Sequence, residues 1–142
     1  DRSDAALRLS KELGADRLVK ASNRTVQEVL DLTHGLGAQV VIDFVAEGST
    51  IDEGLAMTRK GGYYFVVGYG GTLKVPTIDL IVGEKSIIGN LVGTYSDLQE
   101  LMTLAARGKV RLATRQYRLD QVNQAMTDLL NGRIEGRGVL IP

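Results

Sequence analysis

Apolar positions along the chain fall into helical stripes and short continuous β-forming runs, and the two kinds alternate. The first stripe, Ala6, Leu9 and Leu13, follows the potential caps Ser3 and Asp4 and stops at Gly14, which takes a left-handed conformation at little cost. Residues 17–20 are a short strand candidate. A second stripe, Val26, Val29, Leu30 and Thr33, opens on Thr25 with Glu28 at capping-box spacing. Residues 39–45, QVVIDFV, then form a near-continuous apolar run that predicts a buried strand. Thr50 with Glu53 is another capping-box candidate for a short helix ending near Met57, which Arg59, Lys60 and Gly61 close. Residues 61–71, GGYYFVVGYGG, set a second β-forming run between glycines. Strand, short helix and strand make the βαβ arrangement of a parallel sheet.

Downstream, residues 73–76 read as an edge strand, because Pro76 lacks the amide that a central strand uses. Residues 86–92 are another apolar strand. Leu98, Leu101, Met102 and Ala105 mark a periodic helix stopped by Gly108, and Val122, Ala125, Met126, Leu129 and Leu130 mark another stopped by Gly132. Residues 113–119 between them read as extended, and residues 138–141 as a last short strand before Pro142. There are no internal repeats, low-complexity tracts or long linkers. The fold class is α/β. Ligands of parallel sheets sit beyond the carboxyl ends of the strands, which places residues 46–49 and 68–71 on one rim. There Gly68, Gly70 and Gly71 form either a turn or a backbone left bare for a ligand. They are not a GxGxxG fingerprint, which would cradle pyrophosphate and lie about 20 residues before an acid such as Asp1, outside this sequence.

Composition narrows the classes. With 142 residues, one domain is the default. Seventeen basic and seventeen acidic residues cancel without runs of one sign, so nothing attracts nucleic acid or an anionic membrane. No apolar run approaches the roughly 20 residues of a membrane span, and no signal pattern opens the chain, so a soluble, cytoplasmic protein is expected. Cysteine is absent, and His34 is the one histidine, so thiolate metal sites are excluded and His34 reads as a helix C-terminal residue. Asp43 lies inside an apolar strand and must find hydrogen bonds or a ligand. Tyr63, Tyr64, Tyr69 and Tyr95 read as core or rim residues. Asp1 stands just before a helix, either as a terminal aspartate or as the acid that takes ribose hydroxyls and repels a 2′-phosphate, favouring NAD over NADP. Arg2 beside it weakens that exclusion. Arg137, in a glycine-flanked loop before the last strand, is either a solvated arginine or a fork for a phosphate. A first residue Asp1 with a helix start at once suggests a sequence that begins inside a larger unit.

Taken in order, DRSDAALRLSKELGAD, GLGAQVVIDFV, TRKGGYYFVVGYGG, IIGNLVGTYSDLQELMTLAARGKV and GRIEGRGVLIP resemble the C-terminal part of zinc-type medium-chain alcohol dehydrogenases, in the medium-chain dehydrogenase/reductase superfamily. The resemblance covers the whole chain. It implies a partial Rossmann-type parallel sheet with flanking helices, lacking the first strand, the GxGxxG helix and nearly all of the second strand. Residues 1–91 would be a partial NAD-binding domain and residues 92–142 a segment that returns to the catalytic domain. It also implies that Asp1 is the ribose acid and that Phe44, Val45 and Ala46 wall the adenosine, with Ala46 where the family usually has Gly. Val67, Gly68 and Tyr69 would flank the nicotinamide, Asn90 and Val92 would meet its carboxamide through their main chain, and Arg137 would take the cofactor phosphate.

Zinc ligands and proton relay would belong to the catalytic domain, so this chain holds no catalytic residue or metal ligand. The parent enzyme is expected to move a hydride between NAD and an alcohol or carbonyl carbon, with zinc polarising the oxygen. The chain alone is expected to be inactive. Residues 73–76 and 87–91 are similar to the sheet edge through which family dimers join, so a homo-oligomer is expected. In the 3-2-1-4-5-6 strand order, residues 17–20 have no neighbour, and a frayed, displaced or intermolecularly paired segment follows. Zinc-independent NADPH reductases of the same superfamily are the near rival. An S-adenosylmethionine methyltransferase is a distant one, because its sheet would end in an antiparallel hairpin. A non-catalytic nucleotide-binding module is the third alternative.

Overall fold

In the computed structural model, which describes residues 1–142, the elements in chain order are α1 (Asp4–Glu12), α2 (Thr25–Leu32), β1 (Ala38–Asp43), α3 (Thr50–Met57), β2 (Thr58–Val66), α4 (Thr77–Gly83), β3 (Ser86–Gly89), α5 (Tyr95–Ala106), β4 (Thr114–Arg118), α6 (Val122–Leu130) and β5 (Arg137–Ile141). They divide into two units, Ala21–Val92 and Asp1–Lys20 with Gly93–Pro142. That partition follows contacts within this chain. The division at 91/92 concerns how segments are shared out in a longer enzyme, a separate matter.

In Ala21–Val92, β1, β2 and β3 form a three-stranded parallel sheet in that order. The β-branched and aromatic runs produce it, and α3 is the crossover that lets β1 and β2 run parallel. Side chains alternate across the sheet. Asp43 and Tyr64 point to the face that α3 covers, with Ile51 and Thr58, while Val40, Ile42 and Tyr63 are exposed on the other. Gly54 lies inside α3 for a packing reason: a Cβ there would sit 2.5 Å from Cε2 of Tyr64. The register shifts between the pairs Ala38↔Thr58 and Val40↔Tyr63, so Arg59, Lys60 and Gly61 begin β2 in a bulge and do more than close the helix.

In the other unit, which also holds α1 and α5, β4 and β5 form a parallel pair with α6 packed on both strands. Ser3 caps α1 by accepting from the Ala6 amide at 3.3 Å, and Gly14 leaves the helix at φ 110°. Thr94 and Asp97 make a complete capping box on α5. Gly108 and Gly132 follow α5 and α6 at positive φ, as the stripes predict. Residues 17–20 join no ladder, and the Val19 carbonyl accepts from the amino group of Asp1 at 3.1 Å.

Several expectations are corrected. Residues 73–76 are irregular, and Pro76, at φ −58°, leads into α4, a helix not foreseen among so many β-branched residues. β3 ends at Gly89, short of the expected residue 92, and Val92 lies in the left-handed region at φ 38°. Neither Thr25 nor Thr50 builds a capping box: Thr25 bonds the Ser22 carbonyl, and Thr50 the Glu47 carbonyl and Asp43.

Candidate functional site

The rim at the carboxyl ends of β1 and β2 is organised by Asp43, the last residue of β1 and 8% exposed. One carboxylate oxygen, Oδ1, accepts from the amides of Val45 and Ala46, each at 2.8 Å. Oδ2 accepts from the Tyr64 hydroxyl at 2.7 Å and the Thr50 hydroxyl at 3.0 Å. Its own carbonyl accepts from the amides of Val67 and Gly68 at 2.9 Å. One residue therefore holds the loop after β1 with its side chain and the loop after β2 with its backbone. Burial pushes the Asp43 pKa up, but the bonds from Tyr64, Ala46, Val45 and Thr50 outweigh it, and the carboxyl titrates below its ordinary range. Burial, with the bond to Asp43, pushes the Tyr64 phenol well up, so it stays a neutral donor.

The glycines after β2 seat this second loop on the first. A Cβ on Gly68 would overlap the carbonyl group of Val45, and one on Gly71 would lie 2.5 Å from the Ala46 carbonyl oxygen, to which the Gly71 amide donates at 2.9 Å. Gly68 and Gly71 thus have a reason within the chain itself. Ala46 stands at φ 50° and is buried against the loop, a conformation that costs an L residue roughly 1–2 kcal/mol.

Beyond the rim, Ile42, Phe65, Val67, Tyr69, Asn90, Leu91 and Val92 line a largely apolar cleft of ≈ 500 Å³. Tyr69 is 90% and Val92 97% exposed. The Asn90 amide donates to the Val66 carbonyl at 2.9 Å, which holds the chain beyond β3 against β2. Its side-chain nitrogen donates to the Ile88 carbonyl at 3.1 Å. Val92 at φ 38° is a β-branched residue in the left-handed region, an outlier of the kind found where backbone meets a ligand.

The structure thus brings Phe44, Val45, Ala46, Val67, Gly68, Tyr69, Asn90 and Val92 to one end of the sheet of Ala21–Val92. Asp1 and Arg137 belong to the other unit. Oδ1 of Asp1 accepts from the Ser3 amide at 2.7 Å, just ahead of α1. Arg137 opens β5, its amide donating to the Ala113 carbonyl at 2.9 Å and its side chain exposed.

One buried cluster escaped the sequence reading. Asp128 on α6, 3% exposed, accepts from the Tyr117 hydroxyl at 3.0 Å, Gln124 Nε2 at 2.9 Å and Arg133 Nη1 at 3.2 Å, with Arg115 Nη2 at 3.3 Å. Burial raises its pKa, but these partners overcome that and hold it below the usual carboxylate range. Its signal was an acid three residues after Ala125, within the apolar stripe of α6. No group of three or more His, Cys, Asp or Glu side chains is arranged to hold a metal ion, and no helix is long and apolar enough to cross a membrane.

Comparison with known proteins agrees with this architecture. The sequence model of a family described as zinc-binding dehydrogenase matches residues 1–107. The chain is 36% identical to an NAD-dependent alcohol dehydrogenase of Sulfurisphaera tokodaii, an alignment that covers 100% of this chain and 42% of that protein. It is 33% identical to a D-arabinose 1-dehydrogenase (NADP(+)) of Saccharolobus solfataricus, covering 92% of this chain and 38% of the relative. The crystal structure of the alcohol dehydrogenase from Aeropyrum pernix matches with a TM-score of 0.90 and 42% identity over 100% of this chain and 41% of that one. The chain therefore spans well under half the length of these relatives.

Proposed function

This chain belongs to the zinc-binding dehydrogenase family, and on that premise we propose that it is the greater part of the cofactor-binding domain of an enzyme that moves a hydride between NAD and an alcohol or carbonyl carbon. The observation that carries the reading is the rim itself. Asp43 ties two loops together beside an apolar cleft at the carboxyl end of a parallel sheet, where such folds bind ligands. The cleft fits a flat heteroaromatic ring, for which Val67 and Tyr69 offer apolar walls.

In this reading Phe44, Val45 and Ala46 wall the adenosine. Val67, Gly68 and Tyr69 flank the nicotinamide, and Asn90 and Val92 meet its carboxamide through their main chain. Asp1 takes the ribose hydroxyls and Arg137 a phosphate. NAD, when bound, supplies the hydride acceptor. This chain offers zinc no donor set, having no cysteine and one histidine. Zinc and the proton relay are therefore assigned to the rest of the parent enzyme, and residues 1–142 alone to cofactor binding without turnover. Residues 1–91 would belong to the NAD-binding domain and 92–142 to the segment returning to the catalytic domain. The cysteine-free composition is compatible with a cytoplasmic location. β3 is an edge of the sheet, and Ile81, Val82 and Leu91 near it are exposed, which supports homo-oligomerisation through that edge.

A second reading, an NADPH-dependent reductase of the same superfamily, is supported by Arg2 beside Asp1 and by the NADP(+)-dependent relative. Parallel titrations of the chain with NADH and NADPH test both. The NAD reading expects saturable NADH binding that weakens in Arg137→Ala. Preference for NADPH selects the second reading, and saturation by neither removes cofactor binding from this chain.

A further inference from the structure

We propose that Asp128 is a positioning residue for Arg137, fixing the loop that presents this arginine to a cofactor phosphate; the proposal rests on the phosphate reading of Arg137 given above. The loop of residues 131–136 leaves α6 and enters β5, and it is held at both ends. At its start, Arg133 is gripped three times. Its guanidinium donates to Oδ1 of Asp128 at 3.2 Å, its carbonyl accepts from Arg115 Nη1 at 3.2 Å, and its amide donates to the Asp128 carbonyl at 2.8 Å. Arg115 is itself set by Asp128, at 3.3 Å from Oδ2, and by the Tyr117 ring, whose centroid lies 5.0 Å from its guanidinium carbon.

At its end, Gly136 is at φ 77° and passes so close to the Ala113 carbonyl that any Cβ would overlap it. The next amide, that of Arg137, donates to the same carbonyl. Only Ile134 and Glu135 separate Arg133 from the Gly136 clamp, so the place that Asp128 gives Arg133 bears on how the backbone enters β5 at Arg137. Arg137 itself stays exposed. A packing role alone would be met by an apolar residue at 128, which would avoid burying a charge. The carboxylate instead gathers two arginines and a tyrosine from β4 and the loop, the elements that bracket Arg137.

The test is a double-mutant cycle on the intact chain, with NADH as the probe, using Asp128→Asn, Arg137→Ala and the pair. Loss of a charge-assisted bond predicts about tenfold or greater weakening for Arg137→Ala. Asp128→Asn is expected to weaken binding about fivefold, and to have no further effect once Arg137 is removed. Equal losses in both backgrounds would overturn positioning and leave the phosphate reading standing. An ineffective Arg137→Ala would overturn the phosphate reading, and positioning with it.

Hydrogen exchange gives a readout without cofactor. In Asp128→Asn the Arg137 amide should exchange about tenfold faster, while the Leu7 amide in α1 keeps its rate. If Leu7 accelerates equally, the unit has opened as a whole. Arg133→Gln, which leaves Asp128 its bonds to Tyr117 and Gln124, must then give the local acceleration, and an unchanged Arg137 amide in that variant refutes the proposal.

Discussion

Replacing Tyr64 by Phe removes a single oxygen at a site with 0% exposure and tests how the rim is held. The ring keeps its packing against Gly54, so no cavity opens. What is lost is the 2.7 Å bond to Oδ2 of Asp43, which then keeps only the Thr50 hydroxyl at 3.0 Å on that oxygen. A hydrogen bond to a charged group contributes about 1.5–3 kcal/mol net. Because Asp43 is nearly as buried as Tyr64, water compensates only in part, and the expected loss is about 2 kcal/mol. In the Asp43→Asn background the same change should cost about 1 kcal/mol or less, since the bond there is neutral and the hydroxyls of Tyr64 and Thr50 are free to reverse direction. Urea unfolding, followed through amide NMR signals of β1 and β2, reports Ala21–Val92 separately from the other unit. A Tyr64→Phe loss below about 0.5 kcal/mol, or equal losses in both backgrounds, would refute the view that this bond anchors the rim.

Gly54→Ala should destabilise by about 1–2 kcal/mol in the same assay, because overpacking Tyr64 exceeds the gain of about 1 kcal/mol in helix propensity; a net stabilisation would contradict the packing described. Ala46→Gly should change stability by no more than about 0.5 kcal/mol, since relief of a left-handed alanine offsets the lost buried methyl and the added freedom of the unfolded chain. A loss above about 1 kcal/mol in the urea assay would argue against strain at Ala46. The depressed pKa of Asp43 means that the native state favours its ionised form. Its contribution is present above the unfolded value of about 3.9 and fades as pH falls through the lower folded value. Urea midpoints measured between about pH 5 and pH 2 should therefore fall, and fall less steeply in Tyr64→Phe; parallel slopes would show that the bond does not set this titration.

The elements visible in the sequence were those whose cause is local. β1 and β2 follow from runs of β-branched and aromatic residues, and Gly14, Gly108 and Gly132 end helices where a left-handed residue is needed. The parallel order of the strands, and the rim they create, followed from the spacing of those runs. α4 was missed because Thr77–Gly83 is rich in residues that favour strands, and Pro76 before it fits an edge strand as well as a helix start. The two threonine capping boxes failed for a tertiary reason in one case and a local one in the other. The Thr50 hydroxyl is drawn to Asp43, seven residues away, and that of Thr25 to the Ser22 carbonyl.

The buried acids mark the boundary of what spacing can reveal. Asp43 stood out because an acid inside QVVIDFV has no local partner, so a demand for hydrogen bonds was legible even though Tyr64, 21 residues on, was not. Asp128 did not stand out, because an acid in a helix is ordinary and the apolar stripe of Ala125, Met126, Leu129 and Leu130 surrounds it. Gln124 and Arg133 lie near it in the chain, but Tyr117 and Arg115 come from β4, which the parallel pairing of Thr114–Arg118 with Arg137–Ile141 holds beside the end of α6. Each unit therefore carries an aspartate bonded to a strand tyrosine, and in each the carboxylate also grips the loop next to residues proposed for the cofactor. A buried carboxylate needs several donors at once, and a chain that supplies them from adjoining loops fixes those loops as a consequence. The same need for hydrogen bonds that makes such an acid costly to bury makes it effective at holding irregular backbone in one conformation.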